Sequence, residues 1–128
     1  MLFTERVKEL SAGTLAFVGD AVYGLLVREK LAETNRPSGE LHKKSVEYVN
    51  ANAQAQAYLE ICGQLSDEEM SIFKHGRNLH TNNVPQNSTL ANYHAATGVE
   101  TLFGYLHLCG RQDRIKELFE IIWRSHTE

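Results

Sequence analysis

Proline occurs only twice in this chain of 128 residues, at Pro37 and Pro85, so long stretches can run as unbroken helix on either side of both. Apolar residues recur at helical spacing through nearly all of them. Phe3, Val7 and Leu10 predict a short first helix that ends near Gly13. A second helix is predicted from Thr14 to about Thr34, closed by the turn residues Asn35-Arg36-Pro37-Ser38-Gly39. Ser38 can cap a third, which carries Leu41, Val46 and Val49 towards Ile61. Within it Ala51, Ala53, Ala55 and Ala57 alternate with Asn and Gln, a strand-like period. Ala and Gln form helix far better than strand, so the prediction stays helix. Ser66-Asp67-Glu68-Glu69 is a capping box ahead of Ile72 and Phe73. Residues 80–87, with Pro85, read as a loop. A helix from Asn92 to Cys109 carries Val99, Leu102, Phe103 and Leu106 and stops at Gly110. The last begins near Asp113 and buries Ile115, Leu118, Phe119, Ile122 and Trp123. With no repeat or linker, the expectation is one all-α domain over residues 1–128, of about six or seven helices.

The longest nearly apolar run, Leu15 to Val27, contains Asp20 and is too short to span a bilayer. The N-terminus reads as an amphipathic segment without the features of a signal peptide. Cys62 and Cys109 are isolated in apolar settings and read as buried thiols in a reducing compartment, which places the protein in the cytoplasm. The net charge of −3 argues against a simple polyanion binder. Its distribution argues the other way. Met70 to Val99 holds no acidic residue but carries Lys74, His75, Arg77, His80 and His94, with Asn78, Asn82, Asn83, Asn87 and Asn92. Neutral donors with a few cations suit phosphate contacts; a polar loop between two helix ends would read the same way.

Two carboxylates stand out. Asp20 follows Gly19 inside Leu15-Ala16-Phe17-Val18-Gly19-Asp20-Ala21-Val22, where both residues are poor helix formers and an ionised aspartate is costly to desolvate. Either Asp20 faces a cation at a cleft, or it caps a helix beginning at Ala21. Glu100 is the only carboxylate between Glu69 and Asp113; its residue pattern alone, Thr97-Gly98-Val99-Glu100, favours a capping box. Two carboxylates from distant helices would suit magnesium, which takes few protein carboxylates and leaves positions for phosphate oxygens. Zinc spacing, a glycine-rich phosphate loop and a G-x-S-x-G elbow are all absent.

Leu15 to Val22 resembles the signature helix of the ribonuclease III family, an acidic residue followed by L-G-D-A-V. Glu100-Thr101-Leu102-Phe103-Gly104-Tyr105-Leu106 resembles that family's second metal-binding helix. Leu41-His42-Lys43-Lys44-Ser45, Gly76-Arg77-Asn78 and the run from Tyr93 to Glu100 are similar to the short Mini-ribonuclease III subfamily, which lacks a double-stranded-RNA-binding domain. The resemblance implies an endonuclease domain that cuts double-stranded RNA with Mg2+ held by Asp20 and Glu100, leaving 5′-phosphate and 3′-hydroxyl ends. It implies a homodimer with both sites in one valley, and a role in maturing the large-subunit (23S) ribosomal RNA precursor. It leaves room for a ribosomal protein that presents the substrate. A-form RNA is read through phosphates and 2′-hydroxyls, for which His42, Lys43, Lys44, Lys74, Arg77, Asn78 and His94 are the candidates. Two departures stand against the wider family: Ala16 and Thr97 occupy positions where it has carboxylates. Glu40 is a candidate third acid, or a first-turn glutamate favoured by the helix dipole. A non-catalytic RNA-binding or ribosome-assembly protein on the same fold is the alternative, and a helical dimerisation module a third.

Overall fold

The structure, a computed structural model, describes residues 4–79 and 88–127; the predicted loop at 80–87, with His80 and Pro85, and Phe3 of the first helix lie outside them. Seven α-helices follow one another among the described residues: α1 (Thr4–Lys8), α2 (Ala12–Ala32), α3 (Ser38–Val49), α4 (Ala51–Ile61), α5 (Asp67–Arg77), α6 (Leu90–Leu108) and α7 (Gln112–Thr127). A 3-10 turn, Cys62–Gln64, follows α4. The all-α expectation holds, and no helix among the described residues is long and apolar enough to cross a membrane.

The centre of the fold is α6. Gly98, Val99 and every residue from Thr101 to Leu106 are buried, as befits a helix that is apolar on nearly all sides. It packs most extensively on α2, then on α5 and α4, with lighter contacts to α1 and α7. Thr101 can be buried there because its hydroxyl donates to the Thr97 carbonyl at 2.7 Å. Glycines bring the neighbouring helices in. A Cβ on Gly76 of α5 would lie 2.1 Å from Thr101 Oγ1, and one on Gly98 would lie 2.5 Å from the Phe73 ring.

Helix boundaries correct the sequence reading in three places. The first helix ends at Lys8, and Gly13 lies within α2 because Ser11 caps that helix, its Oγ accepting from the Thr14 N–H at 3.1 Å. The helix expected from Ser38 to Ile61 breaks at Asn50. That one side chain serves both pieces: Oδ1 accepts from the Ala53 N–H at 2.8 Å, and Nδ2 donates to the Val46 carbonyl at 3.0 Å. Ser38 does not cap; Pro37 holds the capping position without a side-chain bond. Cys62 and Cys109 are free thiols as expected, but half-buried rather than buried.

The capping box at Ser66 and Glu69 forms as predicted, and Glu69 does more than cap. Only 1% exposed, it receives Arg114 of α7 in a two-pronged ion pair, Nε to Oε2 and Nη2 to Oε1, both 2.8 Å. The Arg114 hydrogen bonds hold the Glu69 pKa below its ordinary value against the opposing effect of burial, with help from the Ser66 N–H and the nearby arginine charges. A carboxylate with a folded pKa below its unfolded value of about 4.3 stabilises the fold above that pH. The contribution is lost as pH falls through the folded pKa. Glu69→Gln should therefore lower unfolding free energy at neutral pH by about 1.5–3 kcal/mol and flatten the acid limb of the stability curve. Urea melts over a range of about pH 3–7 measure both effects. An acid limb as steep as the wild type's would refute the assignment.

Candidate active site

Along α2, Leu15, Gly19, Tyr23, Val27 and Leu31 recur every four residues and form the stripe buried in the core. Gly19 sits in the middle of it, where a Cβ would lie 1.6 Å from the Glu100 carbonyl oxygen. Gly104 does the same from the other side: its Cβ would lie 1.9 Å from the Leu15 carbonyl oxygen. The two backbones therefore cross in direct contact. Asp20, next to Gly19, lies exposed at the margin of that crossing, close enough for its carboxylate to act on the Glu100 carboxyl. Neither residue caps a helix, since both lie well inside α2 and α6; Ser11 and Thr89 are the caps.

Glu100 is half-buried. Burial, then its hydrogen bond with Asp20, then the Asp20 charge raise its pKa to about 8, while a hydrogen bond from Gln54 of α4 pulls it down. A carboxyl raised in this way by burial and a like charge is one that a bound cation would favour in its ionised form. Tyr23, buried against Phe103 and Phe119 with ring centroids 5.3 and 5.6 Å away, adjoins the pair; burial first, then the Glu100 charge, hold its phenol above its ordinary pKa.

This all-oxygen pair fits a hard divalent cation such as Mg2+, which needs only one or two carboxylates from the protein. Among the described residues no group of three or more His, Cys, Asp and Glu side chains gathers to hold a metal. Glu40 does not join Asp20. It lines a separate groove with Arg36, Lys43, Lys44 and Glu47. Thr97, on α6 one turn before Glu100, turns its hydroxyl to the Tyr93 carbonyl at 3.1 Å, and Ala16 is buried. An open cleft of about 360 Å³ leads from Asp20 along Gly24 and Arg28 of α2, with Ser45 and Val49 of α3 on its other wall.

The profile of the ribonuclease III domain matches residues 13–111, a span that contains both carboxylates and the crossing that joins them. The chain belongs to the ribonuclease III family. Its curated relatives include the Mini-ribonuclease 3 of Thermoanaerobacter sp. (strain X514), 44% identical over 94% of this chain and 86% of the relative. That of Clostridium tetani (strain Massachusetts / E88) is 35% identical over 98% and 85%. A crystal structure of a Fusobacterium nucleatum protein superposes with a TM-score of 0.85 at 28% identity, over 94% of this chain and 97% of the other. These relatives place the chain in the Mini-ribonuclease III branch.

The RNA-contact candidates of this ribonuclease III chain fall on three helices. His42 and Lys43 are exposed on α3; Lys44 there pairs with Glu47 at 3.5 Å, which occupies part of its charge. Lys74 is exposed on α5, and Arg77 at its end bonds Asn78 Oδ1 at 3.3 Å and lies 6.0 Å from the Phe73 ring centroid. Arg77 follows Gly76, where an added Cβ would run into Gly98 and the Thr101 side chain on either side of Glu100. His94 is half-buried against Tyr93 on α6. Three site residues were missed in the sequence. Arg28 shares the Asp20 face at i+8, a spacing that could have revealed it. Gln54 and Tyr23 could be found only as polar atoms on stripes otherwise apolar.

Proposed function

We propose that this endoribonuclease cuts double-stranded RNA at a site built on Asp20 and Glu100, which together hold a Mg2+ ion. The meeting of these two carboxylates across the α2–α6 crossing, in a chain of the ribonuclease III family, is the observation that supports this reading above all. A bound divalent ion would supply positive charge to the scissile phosphate and lower the pKa of the attacking water. Asp20, exposed, presents its carboxylate towards the cleft. Glu100, half-buried, anchors from the core. Hydrolysis there leaves 5′-phosphate and 3′-hydroxyl ends.

Arg28, beside Asp20 in the cleft, and Lys74, Arg77 and Asn78 at the end of α5 are placed to meet phosphates. His42, Lys43, Lys44 and His94 extend that reading to α3 and the start of α6. Phe17 is 80% exposed and Leu25 58% on α2, with Ala21 and Gly24 between them. Covering one such phenylalanine is worth roughly 1.5–3 kcal/mol, and an apolar patch flanking a functional site marks an interface. A second copy laid α2 on α2 would cover it and bring two Asp20 sites into one valley, one for each RNA strand. Sedimentation showing a monomer at micromolar concentration would rule this dimer out.

The biological reading is a catalytic domain acting in the cytoplasm on the 23S ribosomal RNA precursor, with room for a ribosomal protein that presents it. The test is cleavage of a perfectly paired RNA beside its single strands, with Mg2+ or with chelator. Cleavage confined to paired RNA and abolished by chelation is expected, with rates falling as salt rises because the contacts are to phosphates. Binding without cleavage would support the ribosome-assembly alternative instead.

A further inference from the structure

We propose that Arg77 is a preset fork that grips one phosphate of the RNA backbone with both of its Nη groups, and that Asn78 is the positioning residue that sets its plane. The inference rests on the reading of paired RNA as the substrate. Arg77 closes α5, half-buried. Its Nε donates to Asn78 Oδ1 at 3.3 Å, and its guanidinium carbon lies 6.0 Å from the centroid of the Phe73 ring, one turn back. Phe73 cannot yield. It is fully buried, stacks on Tyr58 with ring centroids 3.9 Å apart and planes 3° from parallel, and fills the space that a Cβ on Gly98 would need. The backbone is held as firmly: the Asn78 N–H donates to the Lys74 carbonyl at 2.9 Å, and Gly76 fits against Gly98 and Thr101 only because it has no Cβ.

A guanidinium is a planar fork of N–H donors that cannot lose its charge. The chain's other oriented arginine, Arg114, spends its fork on Glu69 and Glu117. Arg77 is oriented without such a partner: among the described residues it enters no ion pair, and Met70 to Val99 holds no acidic residue. With Nε committed to Asn78, the Nη edge is left for an anion from outside the chain. Phosphate is the anion that RNA offers, and two of its oxygens match that edge. The place suits the task, because Gly76 seats the end of α5 against the residues flanking Glu100. Lys74, exposed one turn earlier, adds charge but no plane.

The test is single-turnover cleavage of paired RNA by Arg77→Lys, Asn78→Ala and the double variant. Arg77→Lys keeps the charge and loses the fork. It should raise the half-saturating RNA concentration by roughly tenfold, the worth of one charge-assisted hydrogen bond. The limiting rate at saturating RNA should stay at wild type, as should the slope of log affinity against log salt. Asn78→Ala should raise the half-saturating concentration by about threefold or more, and should add nothing in the Arg77→Lys background, since Asn78 acts only through the fork. Melting temperatures should stay close to wild type. Should Asn78→Ala fail to fold, Asn78→Ser, whose shorter side chain withdraws the acceptor, is read in its place. An Arg77→Lys protein that binds as tightly as wild type would overturn the fork. An Asn78→Ala loss of equal size in both backgrounds would overturn the positioning role. If the wild type itself neither binds nor cuts paired RNA, the substrate reading is at fault and the fork falls with it.

Discussion

Asp20→Asn should slow cleavage of paired RNA by about a thousandfold or more, equivalent to roughly 4 kcal/mol of transition-state stabilisation. The substitution keeps the shape and the modest helix propensity of aspartate, and Asp20 is exposed, so the fold should be undisturbed. What it removes is one of the only two carboxylates at the site, with no third His, Cys, Asp or Glu gathered beside them among the described residues. Glu100→Gln should be equally damaging to the rate. Single-turnover cleavage at saturating RNA and raised Mg2+ measures the loss, and calorimetry with Mn2+ tells lost ion affinity from lost chemistry. A folded Asp20→Asn protein that cuts at the wild-type rate would disprove the site.

Gly19→Ala should be the most destabilising of the glycine-to-alanine changes among the described residues. The new Cβ would meet the Glu100 carbonyl oxygen at 1.6 Å and its carbonyl carbon at 2.5 Å, which are backbone atoms that cannot swing aside. Ordinary overpacking costs about 1–3 kcal/mol. Separating the two central helices should exceed that, at about 3 kcal/mol or more, and carry Glu100 away from Asp20. Gly104→Ala should behave alike, with the Leu15 carbonyl oxygen at 1.9 Å. Gly39→Ala is the control: nothing lies within 4 Å, so it should stabilise by about 0.5–1 kcal/mol. Urea midpoints for the three variants decide it. A Gly19→Ala protein as stable as Gly39→Ala would mean that the helices do not cross as closely as described.

Elements with strong local signals were legible in the sequence. The Ser66–Glu69 box, the stop at Gly110, where φ is 75°, and the apolar stripe of α7 all rest on residues within a turn or two of one another. The break at Asn50 was missed because Ala and Gln on both sides are good helix formers, and only the cap geometry shows one side chain serving two ends. For Glu100 the local pattern suggested a cap, and only resemblance to the ribonuclease III helices favoured a metal site. Locally Asp20 remained open between a cap and a cleft. Gln54 was hidden among alternating alanines because the pattern gave no sign of which face of α4 would be buried.

The sequence by itself determined the class: an all-α chain of about six or seven helices, the Ser66–Glu69 capping box, the apolar faces, and the resemblance that named the family. Those follow from local spacing, which needs no knowledge of the neighbouring helices. Only the tertiary structure decided that Asp20 lies beside Glu100, that Glu40 stands apart, and that Gln54 comes to the site from α4. Such pairings depend on which helices cross and how closely, and here the missing side chains of Gly19 and Gly104 let two backbones meet.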